Sequence, residues 1–151
     1  MEWDVYSDVH EPLPDDLIAG IEKVIRFTLP KDYVECVKHF HGGQPKDRSL
    51  SIEVGGKTWG IGFGMLLTLD PLHSAENIVT ALFSLRNHHQ LPNYYLPIVV
   101  GGGGDYLCFD YSENPLSPKV AFYFHELEVQ EGIFYVADSF SDLLSMLKEE
   151  N

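Results

Sequence analysis

Apolar residues recur at helical spacing in two stretches near the start of the chain, after Pro14 and after Pro30. A period of three to four residues places apolar side chains on one face of an amphipathic helix. Asp15 and Asp16 would then occupy the first turn of the first helix, where carboxylates complement the helix dipole. A Gly-Gly pair at 42–43 predicts the end of the second helix. The apolar positions on the two predicted faces are Leu17, Ile18, Ile21, Val24 and Ile25 in the first helix, and Val34, Val37 and Phe40 in the second.

A change from helical spacing to strict alternation of apolar and polar residues over 50–54 predicts a strand. Gly55 and Gly56 follow, and two glycines can supply the positive φ angles of a two-residue hairpin turn. The return strand is predicted to run from Trp59 to Leu69. The glycines at 60, 62 and 64 suggest a bulge or a close approach of two backbone segments.

The second half of the chain combines two helical patterns with several apolar runs. Ser74 is a predicted N-cap for a third helix that ends before Pro92. Ser139 and Asp142 resemble a capping box, which predicts a short last helix after them. Between these helices, strands are predicted over 95–100, 106–111, 120–124 and 133–136.

The order of these elements predicts an α+β fold, because the strands are grouped rather than alternating with helices. We expect one domain over residues 1–151, with a mainly antiparallel twisted sheet of about six strands flanked by about four helices. The hydrophobic fraction of 44% is sufficient for a packed core. Residues 1–12, which are acidic and end at a proline-rich step, are expected to be loosely packed.

The charge balance restricts the kind of partner. Ten Lys and Arg oppose 23 Asp and Glu, for a formal net charge of −13. Such a chain repels nucleic acid and anionic lipid, so we expect neither as a direct partner. A basic protein would be attracted, although acidity also serves solubility alone. The N-terminus lacks the features of a signal peptide, and no apolar run is long enough to span a bilayer, so we expect a cytoplasmic protein.

No motif in the chain predicts catalysis, a metal or a cofactor. The glycine run 101–104 before Asp105 differs from a phosphate loop, since a strand rather than a helix follows and the lysine is missing. Asp105 is therefore expected to bind nearby backbone amides in a turn. The seven histidines show no zinc-binding spacing. Cys36 and Cys108, each among apolar neighbours, are expected to be reduced buried thiols.

Acidic residues and aromatic residues are both frequent in the second half, and each has two interpretations. The carboxylates could form an acid–base pair, but no spacing indicates one, so a solvated acidic rim is favoured. The aromatic side chains could fill the core, or could serve as rigid anchors of an interface within that rim. We predict a partner-binding surface formed by Asp105, Tyr106, Asp110, Glu126, Glu128 and Glu131.

An ordered series of motifs resembles the SUKH superfamily. Residues 29–33 enter a helix that ends at 41–43; residues 97–99 lead to 103–110; and residues 119–125 are followed by 136–144. The resemblance implies a bacterial immunity protein that binds and neutralises a cognate toxin, often a nuclease. Fungal relatives regulate cell-wall glucan synthesis as interaction scaffolds, and no catalytic residue is transferable from either branch.

Three hypotheses follow. The first is a non-enzymatic immunity protein with a basic toxin as its partner. The second is a regulatory scaffold with a constitutive cellular partner. The third is an enzyme or metal protein whose histidines are brought together by folding. The sequence leaves the identity of the partner and the oligomeric state open.

Overall fold

Four helices and nine strands follow one another in residues 1–5 and 11–149, the part of the chain that the computed structural model describes. The longest helix, α3, has 12 residues, and no helix in those ranges is long and apolar enough to cross a membrane. The helices are α1 (Asp15–Ile25), α2 (Lys31–Phe40), α3 (Ile78–His89) and α4 (Phe140–Ser145). The strands are β1 (Trp3–Val5), β2 (Gly43–Pro45), β3 (Ser49–Val54), β4 (Lys57–Gly62), β5 (Met65–Leu66), β6 (Tyr95–Val100), β7 (Tyr106–Asp110), β8 (Lys119–Tyr123) and β9 (Ile133–Ala137).

The main sheet has five strands in the order β5-β6-β7-β8-β9, and every neighbouring pair is antiparallel. Two further antiparallel pairs stand apart from it, β1 with β2 and β3 with β4. This arrangement confirms the predicted α+β class with a mainly antiparallel sheet. The turn of the β3–β4 hairpin is also as predicted, with φ of +57° at Gly55 and +80° at Gly56.

The predicted return strand over 59–69 is interrupted, so that β3 and the first part of the return strand form a separate hairpin. The main sheet therefore has five strands rather than the expected six. The first part of the return strand, β4, pairs with β3, whereas its last part, β5, pairs with β6. The chain crosses between them at Gly64, where an added Cβ would lie 1.9 Å from the carbonyl oxygen of Val100. The expected close backbone approach therefore occurs here, and it separates the hairpin from the main sheet.

The centre of the main sheet is buried on both faces. On one face, Phe109 of β7 contacts Tyr33 of α2 edge to face at a centroid distance of 5.2 Å. Successive side chains of a strand point to opposite faces. Accordingly, Cys108 packs on the other face in a cluster with Tyr123 and with Leu85 of α3. Helices therefore cover the sheet from both sides.

Two helix starts were predicted from polar side chains, and one prediction is wrong. Helix α3 begins after Asn77 rather than Ser74, since the Oδ1 atom of Asn77 accepts a hydrogen bond of 2.8 Å from the Val79 N–H. Ser74 lies three residues before this cap and four before the first residue of the helix, Ile78. At α4 the prediction is confirmed: the Oγ atom of Ser139 accepts a hydrogen bond of 3.1 Å from the Asp142 N–H.

The described part of the N-terminal segment is attached to the fold by strand β1. Trp3 lies opposite Pro45 in the β1–β2 pair and stacks on Phe40 of α2 at a centroid distance of 5.0 Å. The segment 1–12 was expected to be loosely packed, and strand pairing fixes residues 3–5 of it. Residues 6–10 lie outside the described residues.

Candidate functional site

The turn between β6 and β7 and the loop between β8 and β9 meet at the same end of the main sheet. Asp105, in the turn, accepts a hydrogen bond of 3.0 Å from the backbone N–H of His125, which begins the loop. The same carboxylate oxygen lies 2.5 Å from Nδ1 of the His125 ring. Asp105 thus binds a backbone amide, as predicted for a turn residue, but this amide is 20 residues away in the chain.

Three of the predicted partner-binding carboxylates, Glu126, Glu128 and Glu131, are exposed in residues 125–132, which we call the acidic loop. Backbone bonds give the loop a defined shape: the Phe124 N–H donates to the Gly132 carbonyl over 2.7 Å, and the Glu131 N–H donates to the Glu128 carbonyl over 2.9 Å. No ion pair in the described ranges involves these three glutamates. The sequence also has no Lys or Arg between positions 120 and 147. The acidic loop therefore concentrates negative charge at the surface, and His88 and His89 at the end of α3 lie beside it.

The two other residues of the predicted surface lie in β7. Tyr106 is adjacent to Asp105 and its hydroxyl donates to the carboxylate of Glu76, while burial raises the pKa of Tyr106. Asp110 is at the far end of the strand, about 13 Å further along at the usual rise per residue. There it pairs with Lys119 across the strands, and its Oδ1 accepts a bond of 2.9 Å from the Ser112 N–H. The structure brings Asp105 and the three glutamates together but separates Asp110 from them.

Most aromatic side chains of the second half are buried or half-buried, and three are exposed in the described residues. Tyr135 of β9 is 59% exposed, Tyr94 is 44% exposed and Phe83 of α3 is 43% exposed. The Tyr135 hydroxyl donates a hydrogen bond of 2.7 Å to Asp138. Tyr135 lies opposite Ala121 in the β8–β9 pair, where the charges of both Asp138 and Lys119 are near its exposed ring. This is the composition expected of an interface anchor within a charged rim.

A groove of about 860 Å³ lies between β4 and the β6–β7 turn, and the sequence did not predict it. Its volume is within the range of about 300–1,000 Å³ that is usual for binding pockets. Trp59 of β4 contacts Phe124 edge to face at 6.3 Å and Phe134 at 5.3 Å, so the hairpin packs on the strands at this place. The apolar lining is Trp59, Ile61, Phe63, Phe122 and Phe124, and the polar lining is Gln44, Arg48, Thr58 and Asp105; glycines at 60, 62, 64 and 101–103 complete it.

Arg48 is a half-buried cation in this groove. Its Nη1 donates a hydrogen bond of 2.5 Å to Oε1 of Gln44. Within the described residues it forms no ion pair with a carboxylate, although the chain has 23 acidic residues. The only sequence signal for the groove was the glycine spacing at 60, 62 and 64, which indicated a close approach but not its location.

Three histidines line one pocket beside the acidic loop: His88, His89 and His125. His41 is buried, and its Nδ1 lies 2.8 Å from Oγ1 of Thr68. Burial lowers the pKa of His41, and the neighbouring ring of His73 lowers it further, while Asp70 acts in the opposite direction. In residues 1–5 and 11–149, no three His, Cys, Asp or Glu side chains are grouped so that they could hold a metal ion.

Both cysteines are free thiols, as expected. Burial and the charge of Asp32 raise the pKa of Cys36 to about 12. Burial also raises the pKa of Cys108, which is 1% exposed. A thiol that remains protonated at neutral pH is a weak nucleophile.

Comparison with models of protein families assigns the chain to a family. The model of the SMI1 / KNR4 family (SUKH-1) matches residues 12–146, which is most of the sequence. The protein therefore belongs to the SMI1/KNR4 (SUKH-1) family, and the resemblance to the SUKH superfamily is confirmed. Comparison with curated proteins gives no match.

Proposed function

We propose that this protein acts by binding another protein, without catalysis, and that it is an immunity protein which neutralises a basic toxin. The observation that carries the proposal is the acidic loop, with three exposed glutamates in a stretch that has no Lys or Arg from 120 to 147. Membership of the SMI1/KNR4 (SUKH-1) family supports a binding function of the immunity or regulatory kind.

The physical basis is electrostatic complementarity. A toxin that acts on nucleic acid needs Lys and Arg to bind phosphates, and carboxylates can occupy the same positions through charge-assisted hydrogen bonds. A net charge of −13 on the inhibitor would also accelerate encounter with such a partner. Because the backbone fixes the acidic loop, little conformational entropy would be lost when it binds.

The absence of catalysis is part of this proposal, and two local observations support it. The thiols have raised pKa values and are buried or half-buried, as described above. The pattern Ser145-x-x-Lys148 is typical of some nucleophilic serines. Here, however, the Ser145 hydroxyl donates to the Asp142 carbonyl over 2.7 Å, and the Lys148 backbone pairs with Ser49.

The first experiment identifies the partner. Tagged protein is used to capture partners from its native lysate, and the bound fraction is washed at low and at high salt. We expect one basic protein, whose association slows toward molar salt, where the Debye length falls to about 3 Å. Recovery without any basic protein would contradict the proposal.

The second experiment locates the surface on that partner. In one variant Glu126, Glu128 and Glu131 are changed to Lys, and in a matched control the exposed residues Glu11, Glu35 and Asp47 are changed to Lys. Both variants change the net charge equally. We expect the acidic-loop variant to associate at least about tenfold more slowly than the control, because local charges dominate steering. Equal loss in both would indicate a net-charge effect alone.

The family description also favours a second candidate, a regulatory scaffold with a constitutive partner. The same acidic surface would then face a cellular enzyme or structural protein rather than a toxin. The captured partner distinguishes the two candidates. A toxic protein whose activity is blocked on binding supports the first, and a non-toxic cellular protein supports the second.

A further inference from the structure

Strand β4 is hydrogen-bonded to another strand on one side only. Its partner is β3, and no other strand in the described residues pairs with it. The two-residue turn makes Val54 and Lys57 the first cross-strand pair, and these two residues exchange backbone hydrogen bonds. Along an antiparallel ladder, every second pair after the first does the same. The backbone groups of the intervening residues must therefore point away from the partner strand.

Two observed hydrogen bonds fix which residues point outward. At the end of the ladder, the Phe63 N–H donates to the Arg48 carbonyl over 2.7 Å, so odd-numbered residues of β4 face β3. On the opposite edge, Ser49 exchanges two backbone hydrogen bonds with Lys148, of 3.0 and 2.8 Å. Ser49 lies opposite Gly62 in the register. The outward-facing residues of β4 are thus Thr58, Gly60 and Gly62.

These three residues line the groove. Their N–H and C=O groups have no backbone partner within the described part of the chain. An unpaired row of alternating donors and acceptors is a template for another strand. Whereas Lys148 partly closes the outer edge of β3, the outer edge of β4 is open to the groove.

Two of the three outward residues are glycines, Gly60 and Gly62, and nothing in the fold itself requires glycine at either position. Neither has a positive φ. A Cβ added at Gly60 would meet no atom within 4 Å, and one added at Gly62 would meet only the Arg48 carbonyl at 3.9 Å. Glycine in a strand is also found where another backbone approaches closely.

The groove beside this edge has the chemistry to hold side chains of an added strand. Trp59, Phe122 and Phe124 supply apolar contacts, and successive side chains of a strand alternate between its two faces. Arg48 supplies a cation with no carboxylate partner in the described residues. An incoming segment would match this groove with an apolar side chain and a carboxylate.

We propose that an extended segment of a partner protein binds β4 as a third strand, with an apolar side chain in the groove and a carboxylate on Arg48. This inference rests on the proposed protein-binding function, but it does not depend on the acidic loop. Addition of a strand to an exposed edge is a general mode of peptide recognition, in which backbone bonds give affinity and pockets give specificity.

The test uses the full chain and random ten-residue peptides displayed on phage. Enriched peptides are synthesised, and their affinities are measured by fluorescence anisotropy for the wild type and four variants. Gly60→Pro removes one outward N–H, and Ser51→Pro is its matched control, because Ser51 is opposite Gly60 and faces the other edge. Arg48→Gln removes the groove cation, and Lys57→Gln removes an exposed cation at the turn.

We expect Gly60→Pro and Arg48→Gln each to weaken peptide binding about tenfold, as for loss of one good hydrogen bond, and the two controls to change it by less than about twofold. A second readout needs no variant: bound peptide should slow amide hydrogen exchange at Gly60 and Gly62. If a proline variant unfolds, this readout alone decides.

Two results would overturn the inference. The first is that no peptide is enriched, or that enriched peptides bind Gly60→Pro normally and leave exchange at Gly60 unchanged. The second is that the protein forms dimers which Gly60→Pro dissociates, because the occupant would then be a second copy of this chain. The acidic-loop variant should bind the peptides normally, so the two proposals can fail separately. A negative peptide experiment leaves the proposed function standing, and a negative acidic-loop experiment leaves strand addition to β4 standing.

Discussion

The main sheet and the β3–β4 hairpin use the same backbone geometry but bury their residues differently. In β7 three consecutive residues, Leu107 to Phe109, are all buried, because helices or other segments cover both faces. In β3 only alternate residues, Leu50 and Ile52, are buried, because the hairpin packs with one face alone. A strand buried on two faces has no surface left for recognition, whereas a strand buried on one face retains an edge and a face.

This difference separates stability from binding. Substitutions in the centre of the main sheet should change the free energy of unfolding, since they remove packed apolar contacts. Substitutions on the outer edge of β4 or in the acidic loop should change binding and leave the fold intact. Four predictions test or sharpen this division, in order of decreasing expected effect.

The largest effect is expected for Phe109→Ala in the main sheet. Phe109 is 0% exposed and contacts Tyr33 and Phe140, so its truncation should lower the free energy of unfolding by about 3–5 kcal/mol. Trp59→Ala in the half-buried hairpin is the comparison and should cost less. Urea denaturation followed by circular dichroism measures both. If Trp59→Ala is the more destabilising change, the hairpin belongs to the stability core and the division is wrong.

The second prediction compares two glycines at the junction of these regions. In Gly64→Ala the new methyl group would lie 1.9 Å from the Val100 carbonyl oxygen, so we expect a loss of about 3 kcal/mol or more. In Gly60→Ala it would meet nothing within 4 Å, and the free energy of unfolding should stay the same or rise by about 0.4–1 kcal/mol. Thermal denaturation of the two variants provides the measurement. A strongly destabilised Gly60→Ala would show that the outer edge of β4 is covered.

These two glycines also show what the sequence could and could not predict. Local signals were sufficient where neighbouring residues determine the conformation: Gly55 and Gly56 at the turn, and Ser139 at the start of α4. Ser74 was predicted as the cap of α3, whereas the observed cap is Asn77. Both residue types serve as N-caps, so residue type alone does not locate the start of the helix. The sequence showed glycines at 60 and 64 alike, but only the fold reveals that one is crowded and the other open.

The candidate site was predicted only in part for a related reason. Glu126, Glu128 and Glu131 are close in sequence, so their shared exposure in one loop follows from local pattern. The bond from His125 to Asp105 spans 20 residues, and the groove joins β4 to the β6–β7 turn across about 40. Such contacts depend on strand order, which hydrophobic periodicity does not specify.

The third prediction compares two tyrosine hydroxyls beside the main sheet. The Tyr33 side chain is 0% exposed, and its hydroxyl has no hydrogen-bond partner among the described protein groups. Tyr33→Phe should therefore raise the free energy of unfolding by about 1 kcal/mol or more. The Tyr111 hydroxyl donates to the Thr28 carbonyl over 2.9 Å, so Tyr111→Phe should lower it by about 0.5–1.5 kcal/mol. Urea denaturation measures both changes. If both variants change the free energy of unfolding in the same direction, it is wrong that one hydroxyl lacks a partner while the other is hydrogen-bonded.

The smallest effect concerns His41, which lies where α2 reaches the segment that links the hairpin to the main sheet. Burial, with a further contribution from His73, lowers its pKa in the folded state below the value of about 6.5 expected when unfolded. The unfolded chain therefore binds a proton more readily, and the stability that His41 provides is complete above about pH 6.5 and declines as the pH falls toward the folded pKa.

His41→Gln isolates this contribution, because glutamine is uncharged and can still hydrogen-bond to Thr68. The free energy of unfolding is measured for both proteins between pH 7.5 and 5. The wild type should lose more stability over this range, by no more than about 1.4 kcal/mol per pH unit, the limit for one proton. Groups remote from His41 titrate equally in both proteins, so the difference between the two curves reports His41 together with its coupling to His73 and Asp70. Parallel curves would mean that His41 is protonated in the folded protein as readily as in the unfolded chain, and that the junction between the two regions is more hydrated than its burial indicates.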